Sequence, residues 1–291
     1  MPKVTILVSL YRCVNFIESF LQCALRIEGR DSMEFLLLHN DPQEEEIAII
    51  EKYKESFPEL NHIKINHREG LYKTWNRGIR LSKGEYITIW NVDDIRFPDS
   101  ILLQAKALDE NPRAAIAYGD MYGSNIYGKH NGKLYHHPEW NEQPQEFFQS
   151  YVMSCFQMWR KSLHDTMGYY DEQFKCVGDF DFQVRVALRY PFAKVKQPLG
   201  IYLEDLPHKL SSNGVQALEN NIVYMRYGVY KKIELPLLKR SLSKYKKSAF
   251  LFFDQWTINT EKSPFNYRYR FAGIAETVFR APGHLARSFF K

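Results

Sequence analysis

The sequence predicts an α/β protein with a mostly parallel sheet flanked by helices. Three observations support this fold class. Apolar, strand-like runs alternate with amphipathic stretches between Val4 and Trp90, the connections are short, and polar residues follow three of the runs. Strands and helices that alternate at this spacing form parallel sheets with right-handed crossovers. Ligands bind at the carboxyl ends of such strands, so the polar residues there predict a binding site.

Four strands are predicted in the first part of the chain, each an apolar run bounded by turn residues. They are Val4–Leu10, Glu34–Leu38, His62–Asn66 and Tyr86–Trp90. Apolar residues at helical spacing predict a helix after the first strand and further helices over Glu44–Phe57 and Leu71–Ser82. The first helix should begin at a capping-box-like pair, Asn15 and Glu18, and the third should end at Gly84 as its C-cap.

Beyond about Ala114 the pattern changes to shorter, aromatic-rich segments. A helix is predicted over Asp179–Arg189 and a loop over Ile201–Asn213. Three further helices are predicted over Ala217–Lys232, Leu235–Phe253 and Tyr269–Arg280. We therefore expect a sheet domain over residues 1–215 and a helical C-terminal extension over residues 216–291.

The composition is that of a soluble globular protein, with 45% hydrophobic and 25% charged residues in a chain of 291. No apolar run approaches the roughly 18 residues of a membrane span. The early run VTILVSL is too short for the apolar region of a signal peptide. The 4 cysteines lack the spacing of zinc ligands. Free thiols in a reducing cytoplasm are therefore expected.

Positive charge is concentrated in the C-terminal segment. Residues 231–291 contain 13 Lys and Arg against 4 Asp and Glu, a net charge of +9. Because the whole chain carries +5, residues 1–230 carry −4. No nucleic-acid-binding motif accompanies the basic segment, so nucleic acid is not an expected partner. The segment is compatible with a solvated helix face and with peripheral attachment to the anionic inner face of a membrane.

The segment GEYITIWNVDDIRFPD, residues 84–99, carries the strongest chemical signal. Its strand delivers Asn91, Asp93 and Asp94 to one carboxyl end. Carboxylate and amide oxygens in such a position suit a hard divalent cation that carries substrate phosphates. A helix N-cap also explains the acids, because Asp94 or Asp99 could cap the helix that begins near residue 98.

Polar residues at other element ends extend this candidate site. Ser9 and Asp41 lie at the predicted carboxyl ends of the first two strands. In the segment GDFDFQVRVA, Asp179 and Asp181 lie where a loop becomes a helix, and a carboxylate there is either a general base or a helix cap. His208 lies in a loop after an apolar strand, a position where most histidines have no function.

Together these motifs resemble inverting family-2 glycosyltransferases, which have the GT-A fold. VTILVSLYRCVNFIESFLQCAL is similar to the family's opening strand and helix, and EFLLLHNDPQ to its second strand with an acidic turn. GLYKTWNRGIRLSKGEYITIWNVDDIRFPDSI resembles its Asn-Arg-Gly helix, Gly-Glu-Tyr strand and DxD element. MGYYDEQFKCVGDFDFQVRVA resembles its Gly-Tyr-Asp-Glu segment and the Glu-Asp helix that follows. The motifs cover about residues 3–213 in the family's order.

The resemblance implies roles for the residues at the strand ends. Ser9 and Asp41 match positions that contact the nucleobase and ribose of a nucleotide-sugar. Asp93 matches the Asp that binds Mn2+ or Mg2+ at the diphosphate. Asn91 stands at the first Asp of the DxD element, and Asp94 is expected to contact a sugar hydroxyl or to support the metal ligand.

The resemblance also implies roles in the second half of the chain. Asp179 matches the catalytic base, and His208 matches a loop histidine that approaches the metal or the diphosphate in some members. Asn40 and Pro42 depart from the family's acidic-glycine turn, and two other departures matter more. Asn91 keeps an oxygen donor but loses a charge, which should weaken metal affinity. Gly178 replaces the Glu that normally precedes the base, which affects how an acceptor would be positioned.

The implied activity is that of an inverting, metal-dependent glycosyltransferase. Residues 1–95 would bind the nucleotide-sugar, and residues 96–215 would bind a glycan or lipid-linked acceptor, as in the synthesis of bacterial surface polysaccharide. One carboxylate opposite a metal-held diphosphate implies a single displacement with inversion. Two alternatives stay open. One is a catalytically silent nucleotide-sugar-binding scaffold, and the other, less favoured, is a sugar nucleotidyltransferase, which would need a glycine-rich basic loop after the first strand.

Overall fold

The computed structural model of the protein describes residues 1–130, 132–140, 142, 153, 155–204, 214–227, 229 and 232–245. Its α-helices are α1 (Val14–Ala24), α2 (Glu44–Tyr53), α3 (Leu71–Leu81), α4 (Ser100–Glu110), α5 (Leu163–Met167), α6 (Gly178–Ala187) and α7 (Val215–Arg226). Its strands are β1 (Val4–Leu10), β2 (Met33–Asn40), β3 (Leu60–Ile65), β4 (Tyr86–Ile89), β5 (Ile95–Arg96), β6 (Ile116–Gly119), β7 (Met121–Ser124), β8 (Leu134–Tyr135), β9 (Met158–Arg160), β10 (Phe192–Val195) and β11 (Gly200–Leu203). Residues 235–245 are also helical.

Within the described residues, the larger of the two sheets has seven strands in the order β10-β6-β9-β4-β1-β2-β3. Its neighbouring strands are parallel, except that β9 runs antiparallel to β4 and β6. A smaller sheet has the order β5-β11-β7-β8. The sequence prediction of a mostly parallel sheet with flanking helices is therefore confirmed. Strand β1 lies between β2 and β4, so the carboxyl ends of these three strands are neighbours.

Helix α3 packs closely on the sheet because it carries a glycine at the contact. A Cβ on Gly78 would lie 2.6 Å from Leu38 Cδ1 and 2.8 Å from Leu7 Cδ2. The same helix fixes the segment after α5, since Asn76 donates to Tyr170 O at 2.9 Å and accepts from Tyr170 N at 3.0 Å. The Asn-Arg-Gly sequence of α3 therefore has packing and hydrogen-bonding functions in the fold.

Two predicted helix ends are wrong. Helix α1 begins after Cys13 and has no side-chain cap, so Asn15 and Glu18 do not form a capping box at its start. The C-cap of α3 is Ser82 rather than Gly84. A Cβ on Gly84 would come 2.5 Å from the backbone nitrogen of Thr5, so this glycine allows the chain to approach β1 closely.

Strand β2 ends two residues later than predicted, at Asn40. The side chains of His39 and Asn40, which indicated a turn, find partners inside the fold. His39 contacts Glu46, and Asn40 contacts Thr74. The turn itself falls on Asp41, which has a φ of 46°.

The chain divides into two compact units. One comprises Met1–Tyr170 and Phe182–Pro207, and the other comprises Asp171–Asp181 and His208–Lys291. In the second unit, α7 buries an apolar face of Leu218, Ile222 and Val223. The predicted helix Tyr269–Arg280 and most of the basic segment lie outside the described residues. The predicted division at residue 215 stays a prediction. Among the helices that are described, none has the length and apolar character of a membrane span.

Candidate active site

The carboxyl ends of β1, β2 and β4 bring together the residues predicted to bind the donor. Ser9 is the penultimate residue of β1, and Asp41 directly follows β2. On the other side of β1, the register that pairs Leu7 with Ile89 places Ser9 level with Asn91. Neighbouring strands lie about 4.8 Å apart. Ser9, Asp41 and Asn91 therefore line one edge of the sheet within the first unit.

Asp41 forms an ion pair with Arg12 across the ends of β1 and β2. Arg12 Nη2 lies 2.9 Å from Asp41 Oδ2, and the two side chains are 51% and 44% exposed. Arg12 and Asp41 have φ values of 51° and 46°. Residues other than glycine rarely adopt a positive φ, and those that do cluster at binding sites. An exposed ion pair contributes little to stability, so stability alone does not explain the conformation of these two residues.

Two arginines flank the ring of Tyr11 at the same edge. The guanidinium of Arg68 lies 4.3 Å from the ring centroid and that of Arg12 lies 5.6 Å from it. Sequence reasoning missed these three residues. Tyr11 and Arg12 directly follow β1, so the rule that identified Ser9 could have found them. Arg68 follows β3, and only the folded chain places it over Tyr11.

Buried polar contacts fix the loop after β3. Asn40 Oδ1 accepts from Glu69 N at 3.1 Å, and Asn40 Nδ2 donates to Thr74 Oγ1 at 3.0 Å. Glu69 accepts two hydrogen bonds from Arg77, which are the main cause of its lowered pKa. Asn40 both donates and accepts, which an ionised Asp could not do. This requirement explains the amide at the end of β2.

The buried carboxylate of Glu46 supports the segment that follows Arg12. It accepts from Cys13 N at 2.5 Å and from Gln43 N at 3.2 Å, and its Oε2 lies 3.0 Å from His39 Nε2. Burial raises the pKa of Glu46, but the contacts with His39 and the two backbone N–H groups outweigh burial, and the pKa is lowered. An ionised Glu46 thus anchors the start of α1 beside the Arg12–Asp41 pair.

The two acids after β4 have different surroundings. Asp94 is 1% exposed. Its Oδ1 accepts from Leu203 N at 3.1 Å, and its Oδ2 accepts from Asn91 Nδ2 at 3.0 Å. Asp93 is only partly buried. The N-cap of α4 is Asp99, and its side chain makes no capping hydrogen bond. A helix cap therefore does not account for Asp93 or Asp94.

Arg96 holds this loop from inside the fold, a role that sequence reasoning missed. Its guanidinium donates to Gln104 Oε1 at 2.8 Å, to Thr88 Oγ1 at 2.5 Å and to Ile89 O at 3.0 Å. Burial lowers the pKa of Arg96 to about 10, against the raising effects of Cys155 and Asp94. The side chain remains a cation at neutral pH and fixes the backbone close to Asp94.

Asn91 and Asp93 are the residues of the loop after β4 that could hold a divalent cation. The pKa values of Tyr202 and Tyr127 are raised chiefly by burial, and the charges of Asp93 and Asp94 raise them further. Asn91 contacts Asp94 through its amide nitrogen, Nδ2. The amide oxygen of Asn91 and the carboxylate oxygens of Asp93 are ligand atoms of the kind that Mg2+ and Mn2+ prefer. Across the described residues, no three His, Cys, Asp or Glu side chains form a ready cage for a metal.

In the second unit, Asp179 and Asp181 also differ. Both lie in the first turn of α6. Asp181 is 1% exposed, and Arg226 Nη1 donates to its Oδ1 at 2.8 Å. Arg226 pairs with Asp171 as well. Burial would lower the pKa of Arg226, but these two carboxylates raise it. Asp179 is only partly buried, so Asp181 serves the fold and Asp179 is the more accessible carboxylate.

Glu219 of α7 fixes the backbone that leads into α6. Its carboxylate accepts from Lys175 N and Cys176 N at 2.8 Å each and from Val177 N at 3.2 Å. Glu219 is fully buried. Consecutive N–H groups before a helix favour a carboxylate, which compensates for their loss of water. The last of these N–H groups, that of Val177, lies two residues before Asp179. No motif in the sequence indicated this interaction.

Two remaining predictions concern His208 and the cysteines. His208 lies outside the described residues, so its contact with the metal or the diphosphate stays a prediction. Cys13, Cys23, Cys155 and Cys176 are all free thiols, as expected.

Comparison with known protein families matches residues 5–169 to the family described as glycosyl transferase family 2. The chain belongs to this family. The matched residues include the ends of β1, β2 and β4, together with the loop that carries Asp93. The protein is therefore a glycosyltransferase, and the family expected from the motifs is confirmed.

Curated relatives of this family-2 glycosyltransferase are distant. An uncharacterised glycosyltransferase of Methanocaldococcus jannaschii is 22% identical over 202 residues, which cover 67% of this chain and 69% of the relative. A PGL/p-HBAD biosynthesis glycosyltransferase of Mycobacterium bovis is 24% identical over 132 residues, 44% of this chain and 49% of that protein. The putative glycosyltransferase EpsH of Bacillus subtilis is 30% identical over 100 residues, 34% of this chain and 28% of EpsH.

Solved structures confirm the GT-A fold of this glycosyltransferase. TarS of S. aureus in complex with UDP-GlcNAc matches with a TM-score of 0.65 at 16% identity, over 95% of this chain and 80% of that one. The mannosyltransferase PcManGT of Pyrobaculum calidifontis, in complex with GDP-Man and Mn2+, matches with a TM-score of 0.53 at 13% identity. That match covers 99% of this chain and 83% of PcManGT.

Proposed function

We propose that this glycosyltransferase moves a sugar from a nucleotide-diphosphate sugar to a hydroxyl of a glycan or lipid-linked acceptor, with inversion at the anomeric carbon. The observation that carries the proposal is the convergence of Ser9, Asp41, Asn91 and Asp93 at the ends of β1, β2 and β4. Ligands of open α/β sheets bind at this edge. The structural neighbours bound to UDP-GlcNAc and to GDP-Man support a nucleotide-sugar as the donor.

The polar groups of this edge suit the different parts of such a donor. Asp41 presents a half-exposed carboxylate that can accept hydrogen bonds from a ribose or a nucleobase. Arg12 and Arg68 supply positive charge at the same edge, beside the ring of Tyr11. Ser9 lies between these groups and Asn91 along the sheet edge. We therefore assign the nucleoside to the ends of β1 and β2, and the diphosphate to the loop after β4.

A divalent cation, Mn2+ or Mg2+, fits the donor set of that loop. Asp93 would be its principal protein ligand, with Asn91 as a neutral oxygen donor. When bound there, a divalent cation would stabilise the negative charge that develops on a leaving diphosphate. The complex of PcManGT with GDP-Man and Mn2+ supports this use of a metal. His208 is proposed as a further contact on the basis of the family resemblance alone.

Inversion requires one base that takes the proton from the attacking hydroxyl, and we assign this role to Asp179. Its neighbour Asp181 is committed to Arg226, whereas Asp179 is only partly buried in the first turn of α6. A carboxylate that accepts the proton as the bond to the sugar forms needs no second nucleophile on the protein. A single displacement, and hence inversion, follows from this assignment.

We further propose that the acceptor belongs to bacterial surface polysaccharide synthesis and that basic residues of the segment 231–291 attach the enzyme to the inner face of a membrane. Flotation with anionic vesicles tests the attachment. The full chain should float with them, and a variant with Lys246, Lys247, Arg268 and Arg270 changed to Gln should float less. Equal flotation of both proteins would contradict the attachment.

Titration calorimetry with UDP-GlcNAc, GDP-Man and dTDP-glucose, with and without Mn2+, tests the donor site. The wild type should bind at least one of them more tightly with Mn2+. Asp93→Asn should weaken that binding at least tenfold when Mn2+ is present. The matched control is Asp99→Asn, because Asp99 is exposed at the start of α4 and its side chain makes no capping bond. No binding by the wild type, or equal binding by Asp93→Asn, would contradict the proposal.

A further inference from the structure

An exposed histidine outside the proposed donor site is held by a buried carboxylate. His136 Nδ1 lies 2.7 Å from Asp120 Oδ2, and the two side chains are 71% and 6% exposed. Asp120 directly follows β6, and His136 directly follows β8. Asp120 also accepts from His137 N at 2.9 Å and lies 3.0 Å from Lys194 Nζ. The fold thus presents an oriented imidazole ring to solvent.

The partner of Nδ1 determines what the other ring nitrogen can do. Burial raises the pKa of Asp120. The hydrogen bonds that Asp120 accepts from His137 N and from the side chains of Lys194 and His136 outweigh burial, so the pKa is lowered. An ionised carboxylate cannot donate, so Nδ1 carries the hydrogen in the bond to Asp120. In the neutral ring, Nε2 keeps its lone pair. Within the described part of the chain, Asp120 is the one hydrogen-bond partner of His136. Nε2 can therefore accept a hydrogen bond from a hydroxyl.

Strand register places this histidine at the same sheet edge as the proposed donor site. Met158 of β9 pairs with Thr88 of β4 and with Ala117 of β6. Asn91 and Asp120 each lie three residues beyond that row, and β4 and β6 run in the same direction. Two strand spacings separate them, which is roughly 10 Å. Both groups belong to the first unit.

The stability of the fold does not explain why the ring of His136 is held at the surface. Asp120 already has two other partners, His137 N and Lys194, which account for its burial. An exposed contact such as that of the His136 ring contributes about 1 kcal/mol or less. A carboxylate that orients a histidine ring is instead typical of functional sites, where it sets the tautomer and the direction of the second nitrogen.

We propose that His136 binds a hydroxyl of the acceptor sugar through Nε2 and that Asp120 is its positioning residue. The proposal rests on the proposed function, because it takes the edge near Asn91 as the donor site.

Saturation-transfer NMR on the full chain tests the inference with methyl glycosides of glucose, galactose, mannose and N-acetylglucosamine as probes. UDP-GlcNAc or GDP-Man affinity is measured on the same samples. The wild type should bind at least one glycoside. His136→Ala should raise the glycoside Kd at least tenfold and leave the donor Kd within twofold. His136→Gln should recover most of the affinity, because the amide oxygen can also accept a hydroxyl hydrogen bond.

The matched control is His130→Ala, since His130 is exposed and stacks on Tyr122 in the same unit. This variant should bind glycosides as the wild type does. For Asp120→Asn, the readout is the 15N spectrum of the His136 ring. The wild type should show the hydrogen on Nδ1, and the variant should lose this preference along with glycoside affinity. A merely structural Asp120 would leave the tautomer of His136 unchanged.

The outcomes separate this inference from the proposed function. Donor binding together with glycoside binding that His136→Ala leaves unchanged overturns the inference alone. Donor binding with no glycoside binding to the wild type overturns it too. No donor binding, with glycoside binding that depends on His136, overturns the proposed function and supports a glycoside site at His136. If neither ligand binds, both are overturned.

Discussion

The carboxylate of Asp94 accepts a hydrogen bond from the backbone N–H of Leu203 at 3.1 Å, and this contact joins the loop after β4 to strand β11. Asp94 is almost completely buried, whereas its neighbour Asp93 is partly exposed at the sheet edge. Adjacent carboxylates therefore make different contributions. Asp94 stabilises the loop, and Asp93 is the proposed ligand of the cation.

Replacement of each acid should separate these contributions. Asp94→Ala removes the acceptor of a buried N–H, which costs about 1–3 kcal/mol of unfolding free energy. Asp93→Ala should lower that free energy by less than Asp94→Ala does, because Asp93 is only partly buried. Urea denaturation measures both. Equal stability losses in the two variants would contradict the division of roles.

Gly200 allows β11 to pass close to β5, which directly follows the loop that carries Asp93 and Asp94. A Cβ at this position would lie 2.1 Å from Ile95 O, a backbone atom that cannot move without displacing the loop. Gly200→Ala should therefore lower the free energy of unfolding by about 3 kcal/mol and weaken Mn2+-dependent donor binding. Gly70→Ala is the control, because Gly70 has a φ of −65° and no atom lies within 4 Å of an added Cβ. A Gly200→Ala protein as stable as this control would contradict the argument.

His164 should make stability depend on pH. Its Nε2 accepts from Trp159 Nε1 at 2.9 Å, and its Nδ1 bonds to Gly168 O at 2.9 Å, so the folded protein holds the neutral ring. Burial lowers the pKa of His164 from 6.5 to about 4. Above pH 6.5 the ring is neutral in both states and its contribution is complete. As the pH falls from 6.5 to 4, only the unfolded state takes up the proton, and stability is lost.

The loss attributable to His164 is on the order of 3 kcal/mol. Chemical denaturation at several pH values, compared between the wild type and His164→Gln, measures it. The variant is less stable at pH 7 but should lose less stability between pH 6.5 and 4. The pKa of His62 is also lowered to about 4, chiefly by burial, so part of the pH dependence should remain. Identical pH profiles of the two proteins would show that His164 does not titrate as described.

Glu219 should affect turnover although it lies outside the matched family region. Glu219→Gln brings an amide hydrogen against backbone N–H groups of residues 175–177, which should cost about 2 kcal/mol of stability. Because these residues lead into α6, we expect nucleoside diphosphate release to fall at least tenfold while donor affinity stays within twofold. Glu172→Gln is the control, since Glu172 is exposed in the same unit. Loss of donor affinity with unchanged turnover would contradict this expectation.

The first four strands could be predicted because their signals are local. Val4–Leu10 was bounded correctly by its apolar run alone. Asp93 follows such a run, and in a parallel sheet that position by itself indicates the ligand edge. Gly78 could be placed on a helix, but its close contact with Leu7 and Leu38 depends on how the helix crosses the sheet.

The remaining parts of the site could not be predicted because they depend on contacts distant in sequence. The sequence predicts a turn at Asn40, but Asn40 ends β2 and its amide contacts Glu69 and Thr74 inside the fold. Glu219 lies 42 residues from Val177, and no local pattern indicates that it accepts the N–H groups before α6. Buried polar partners of this kind are determined by the folded chain, so sequence periodicity contains little information about them.

The assignment of Asp179 as the base is tested most directly by nucleoside diphosphate release from the donor that binds in calorimetry. Asp179→Asn should slow release by about 10²–10⁴-fold, which is the usual contribution of a general base, while the donor Kd stays within twofold. Asp165→Asn is an appropriate control, because Asp165 is an exposed residue of α5. An Asp179→Asn enzyme that releases the nucleotide at the wild-type rate would contradict the assignment.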